Sequence, residues 1–140
     1  MALPSGVSKD SVRAVYEALT NGDAVAATGA DSVSRILSAA ATTNATSAKA
    51  SAGYLHKVVG YNAAAAARYL KIYNKASAPT VGTDTPVMTV YLLAQSAFAL
   101  DVDGLYFSTG IAYALTTGSA DNDTGALTAA DVLGLNVIYG

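Results

Sequence analysis

The chain has 140 residues, enough for one domain with a buried core, and its 52% hydrophobic and 13% charged content excludes a disordered chain. It has no cysteine, which excludes disulfides, thiolate metal sites and cysteine nucleophiles. The net charge of −2 is unevenly laid out: all 8 Lys and Arg lie at or before Lys75, while Asp84, Asp101, Asp103, Asp121, Asp123 and Asp131 lie after it.

That split predicts two surfaces of opposite sign, which favour subunit contact over chemistry on a small substrate. Apolar runs such as Ala63 to Ala67 fall far short of the ~20 residues that a membrane-spanning helix needs, so no membrane partner is expected. Met1-Ala2-Leu3-Pro4 lacks the basic, then apolar, then small-residue order of a secretion signal and reads as a cytosolic start.

Residues 1–50 read as an N-terminal extension. Ser8 is placed to cap a short helix in which Val12, Val15, Tyr16 and Leu19 form one apolar stripe, with Asn21-Gly22 as the stop. Val12, Tyr16 and Leu19 are therefore candidate interface residues. Asp23 to Asp31 reads as a loop and Ser32 to Leu37 as a strand. Ala39 to Ala50 is rich in Ala, Thr and Ser and reads as an extended arm or an edge strand.

From Ser51 onward, short strand-type runs are bounded by turn residues. Gly53 to Val59 is the first. Arg68 to Tyr73 alternates, with Leu70 and Ile72 on one face and Tyr69, Lys71 and Tyr73 on the other. The alanine run before it favours a helix by propensity, but Tyr69, Ile72 and Tyr73 favour a strand and the alternation is clean. Val87 to Leu92 is apolar and β-branched. Phe98 to Val102 and Leu105 to Phe107 flank Asp103-Gly104, which predicts a tight hairpin turn. Gly110 to Thr116 puts Ile111, Tyr113 and Leu115 on one face. Val132 to Tyr139 puts Leu133, Leu135, Val137 and Tyr139 together, opposite Gly134 and Asn136. The expected fold is mostly β: an antiparallel β-sandwich or jelly roll over residues 51–140, with the helix-bearing arm before it.

Candidate chemistry is sparse. His56 is the sole histidine and lies between Leu55 and Lys57 in a predicted strand, where it reads as a surface residue. A zinc site would need carboxylates alone beside it, and no Gly-x-Ser-x-Gly elbow accompanies it. Asp121-Asn122-Asp123 begins like a calcium loop, and Asp101 and Asp103 are further carboxylates that such a site would recruit. Gly125 stands at the fifth position, however, and no Glu occurs near the twelfth, so a solvated turn is the preferred reading. No cofactor, metal or catalytic residue is therefore assigned. Arg68, Lys71 and Lys75 are interleaved with Tyr69 and Tyr73, but the acidic second half opposes nucleic-acid binding. With nine Tyr against two Phe and no Trp, the aromatic content suits an interface, and Tyr69, Lys71 and Tyr73 are its candidate strand residues.

Two blocks carry a resemblance. One runs from Gly60-Tyr61-Asn62 through Arg68-Tyr69-Leu70-Lys71-Ile72-Tyr73-Asn74-Lys75 to Pro86-Val87. The other is Gly104-Leu105-Tyr106-Phe107-Ser108-Thr109-Gly110 through Thr116, followed by Gly118 to Asp123. In this order they resemble small virion structural proteins of tailed bacteriophages, some of which look like capsid decoration (cement) proteins. The resemblance covers residues 51–140. It implies a β-sandwich without catalytic residues, made in the host cytoplasm and located on the virion. It further implies the major capsid protein as partner and self-association, expected as a homotrimer. A tail, baseplate or fibre position is an alternative. So is a carbohydrate- or calcium-binding module, with Tyr69 and Tyr73 as platform and Asp121 and Asp123 as ligands.

Overall fold

The structure is a computed structural model and describes residues 31–38 and 41–140. One compact unit runs from Asp31 to Gly140. The predicted helix with Val12, Tyr16 and Leu19 lies outside the described residues, and within them there is no helix.

Eight strands follow one another: β1 Ser32–Ile36, β2 Thr46–Lys49, β3 Gly53–Asn62, β4 Arg68–Asn74, β5 Met88–Leu92, β6 Ser96–Phe107, β7 Ile111–Thr116 and β8 Val132–Tyr139. They form two antiparallel four-stranded sheets, β1-β8-β3-β6 and β2-β7-β4-β5. Only β4 and β5 are consecutive strands of the same sheet; every other connection passes from one sheet to the other. One apolar cluster draws on both. Leu55, Val58, Phe107, Val132, Leu135 and Val137 come from the first sheet, and Leu70, Ile72, Leu92, Ile111, Tyr113 and Leu115 from the second.

The strand reading of residues 68–73 holds, and the local reason is Asn62. Its buried amide accepts from Ala64 N at 3.1 Å and donates to Ala66 O at 3.1 Å and Leu92 O at 3.0 Å. This side chain takes over backbone groups that an alanine helix would have paired, and the run becomes a bend.

Four expectations are corrected. First, Asp103-Gly104 does not reverse the chain. Both residues have positive φ, 51° and 78°, but they form a bulge within the continuous strand β6. Leu55 pairs with Leu105 and Lys57 with Asp101, so His56 alone spans the three residues 102–104. Second, β8 carries another bulge, at Gly134, with φ 55°. Asn136 pairs with Val59 and Leu133 with Tyr61. The extra residue shifts the alternation, so Val132 is buried and Leu133 is exposed.

Third, residues 31–50 are not an arm. β1 pairs with β8 and β2 with β7, so this segment supplies an edge strand to each sheet, and the boundary at residue 50 cuts through the fold. Fourth, the charge split of the sequence does not become a split between surfaces. Strands β1 to β4 come from the basic part and β5 to β8 from the acidic part, and in both sheets they alternate.

Candidate interaction surfaces

On the outer face of the β2-β7-β4-β5 sheet the chain's own loops cover β7 and the part of β4 at Lys71 and Tyr73, while Tyr91 on β5 stays 56% exposed with its ring centroid 5.6 Å from that of Tyr69. Tyr73, Ala112 and Ala114 form a second buried cluster there, packed against Ala45 and Val81. All six residues of β7 are buried as a result. The expectation of Tyr69, Lys71 and Tyr73 as interface residues is therefore corrected for Lys71 and Tyr73. The three do share a face, but Lys71 is 0% and Tyr73 1% exposed, and Tyr69 is half-buried. A pattern of alternation tells which residues share a face and not whether loops close over it.

Lys71 is the anchor of that cover. Its Nζ donates to Ala120 O, to Asp123 O at 3.3 Å and to Asp121 O at 3.4 Å. An ammonium has three N–H donors, and three carbonyls receive them. Burial pulls the Lys71 pKa down, opposed by the nearby charges of Asp123 and Asp121. The Tyr73 hydroxyl is buried beside this region with no hydrogen-bond partner among the described residues. Its pKa is pushed up by burial first, then by Asp84 and Asp121.

Further polar groups of these loops are also engaged. Asp123 Oδ1 accepts from Gly118 N at 3.1 Å and Gly125 N at 2.9 Å. One carboxylate oxygen of Asp123 is thus turned to the loop's own amides, and the backbone carbonyls of Ala120, Asp121 and Asp123 to Lys71. Asp101 and Asp103 lie on β6, and Asp101 Oδ1 accepts from Asp103 N at 2.9 Å. No group of three or more His, Cys, Asp or Glu able to hold a metal ion occurs among the described residues. The Lys75 ammonium and Thr80 N both donate to Asp84 Oδ2, which closes the loop after β4 and lowers the Asp84 pKa, with Lys75 the larger cause. Arg68 Nε bonds Asp131 Oδ2 at 2.8 Å and ties the start of β4 to the start of β8. His56 Nε2 lies 3.4 Å from Asp31 Oδ1, partly exposed at the end of its sheet.

The outer face of the β1-β8-β3-β6 sheet is different: no loop of the described residues buries it. Val33, Tyr54, Tyr61, Tyr106 and Leu133 are all exposed there, between 36% and 57%. Cross-strand rows give its layout. Tyr61 stands between Ala97 and Leu133, and Val59 between Ala99 and Asn136. Arg35 follows beside Asn136 on the β1 edge. Lys57 stands between Asp101 and Ile138, with Val33 beyond Ile138. Tyr54 and Tyr106 pack with ring centroids 5.2 Å apart. Exposed aromatic surface thus lies on this sheet and, through Tyr91 beside Tyr69, at the β5 edge of the other, and not at Tyr73. The signal in the sequence was the alternation of β6, Ala97-Phe98-Ala99-Leu100-Asp101-Val102, which has no large apolar residue on its second face.

Among the described residues no helix is long and apolar enough to cross a membrane. No family model matches the chain, and no curated protein or solved structure matches it either.

Proposed function

We propose that the chain is a structural protein of a tailed-bacteriophage virion: a capsid decoration protein that binds across major capsid protein subunits and stabilises the head. The observation that carries this reading is the strand order. Two four-stranded sheets ordered β1-β8-β3-β6 and β2-β7-β4-β5, with the first and last strands side by side, support an eight-stranded jelly-roll sandwich. Viral capsid domains are frequent users of that architecture. A fold alone assigns no function, and the resemblance of the two sequence blocks is what points to the virion. These blocks meet in space. β4 of the first pairs with β7 of the second, and Lys71 of the first holds the loop that ends the second. In this reading the sandwich is the body, residues 1–30 are the arm that reaches neighbouring subunits, and copies of the body associate with one another.

The test is immunogold labelling of particles made by the phage or prophage that encodes the chain. Label distributed over the head is the expected result. Label at the tail moves the protein to a tail or baseplate position, and particles without label overturn the virion reading. Removing residues 1–30 is expected to abolish head binding while the body stays folded; full binding by that variant rejects the arm.

A further inference from the structure

We propose that the open face of the β1-β8-β3-β6 sheet is a homotypic interface, covered by the same face of a second copy in a twofold pair. The inference stands apart from the virion reading, because it needs only the purified chain.

Two observations carry it. The first is the contrast between the sheets. Loops cover β7, Lys71 and Tyr73 on the outer face of one and leave Tyr91 exposed at its β5 edge; among the described residues no loop covers the other, where Val59, Tyr61, Ala97, Ala99, Leu133 and Ile138 stand in adjoining rows with Lys57 and Asn136 among them. A largely apolar field of this kind marks a contact surface.

The second observation is the placement of charge. Arg35 stands on the outer face of the β1 edge and Asp101 on the outer face of the β6 edge, so the field is flanked by a cation on one side and an anion on the other. Neither is in an ion pair among the described residues, and Lys57 stands beside Asp101 in its row. A twofold axis parallel to the strands lays β1 of one copy over β6 of the other. Arg35 then faces Asp101 twice, and the apolar rows meet in the middle. An axis across the strands would instead lay β1 on β1 and oppose Arg35 to itself. Charge therefore selects the first arrangement. The Arg35 row contains Ala99, two residues from Asp101, an offset of about 7 Å along the strand. A long arginine side chain covers that offset. Aligned packing of two sheets at about 10 Å is the ordinary geometry of such a contact.

The experiment is sedimentation equilibrium of the full chain, with Arg35→Asp, Asp101→Arg, the double swap and Ala99→Arg. The expected result is a dimer of the 14.0 kDa chain. Each single charge reversal is expected to weaken it about tenfold or more, and the double swap to restore it. Ala99→Arg places a long cation on an exposed position away from the core, so it tests the face if a charge reversal fails to fold. A wild-type monomer, a trimer, or a dimer indifferent to both Ala99→Arg and the charge reversals overturns the interface. A monomer that still labels phage heads removes this interface and leaves the decoration reading in place.

Discussion

Lys71 shows what a single buried charge does in this molecule. Its ammonium joins the middle of β4 to the loop at 120–123, and its burial cost appears as a lowered pKa. Lys71→Met keeps the stem and leaves three carbonyls without their donor. It is expected to lose about 1–3 kcal/mol, read from the urea midpoint at pH 7. The pH dependence has a definite sign. A lysine whose folded pKa lies below 10.5 releases its proton earlier in the folded protein than in the unfolded chain. Stability therefore rises as pH climbs through the lowered value towards 10.5. Tyr73 and Tyr113, both raised above 10.0 chiefly by burial, act the other way: their contribution is complete below 10.0 and is lost above it. Wild-type stability is expected to peak on the alkaline side, and Lys71→Met to flatten the rising limb. A rise unchanged in Lys71→Met assigns it to another group. Tyr73→Phe removes a buried hydroxyl that has no partner among the described residues. It is expected to gain about 1 kcal/mol. A loss of stability would reveal a partner for that hydroxyl.

At the scale of elements, strands were legible where alternation and β-branched content agreed, as in β4, β5 and β7. Bulges were not. Asp103-Gly104 was a correct signal for positive φ, but the same two conformations serve a hairpin turn or a bulge. Pairing with Leu55 and Lys57 on one distant strand decided between them. Gly134 hid in the same way. A one-residue bulge there exchanged the roles of Val132 and Leu133, and no local pattern announces which neighbour is turned in. The exchange makes a sharp prediction. Val132→Ala is expected to cost about 2 kcal/mol or more, and Leu133→Ala to stay within about 0.5 kcal/mol of wild type. Equal costs in denaturant titration would put the register in doubt. The loops over Lys71 and Tyr73 were illegible for a related reason. Their residues, Val81 and Ala120 to Asp123, meet β4 only through the tertiary fold.

Across the whole molecule, the antiparallel pairing undoes the charge asymmetry of the sequence. Each strand from the basic part lies beside a strand from the acidic part, so Lys57 stands opposite Asp101, and across the two sheets Arg68 finds Asp131. One edge strand of each sheet comes from residues 31–50, which look featureless in sequence because Ala, Thr and Ser bury little of their own. A chain begun at Asp31 keeps both of these edges and is expected to melt cooperatively, within a few degrees of the full chain. A chain begun at Ser51 loses β1 and β2 and is expected not to melt cooperatively in calorimetry. A cooperative transition in the second would show that the two edges are dispensable. The same topology has a consequence for synthesis. β8 lies between β1 and β3, and β7 between β2 and β4, so the strands that join each sheet leave the ribosome after the strands they join. Until Val132 and its successors emerge, β1 and β3 wait without the strand that connects them. The nascent body completes its fold only once β8 has emerged, and slow closure through distant contacts follows. A chain stopped before β8 leaves β1 and β3 unjoined.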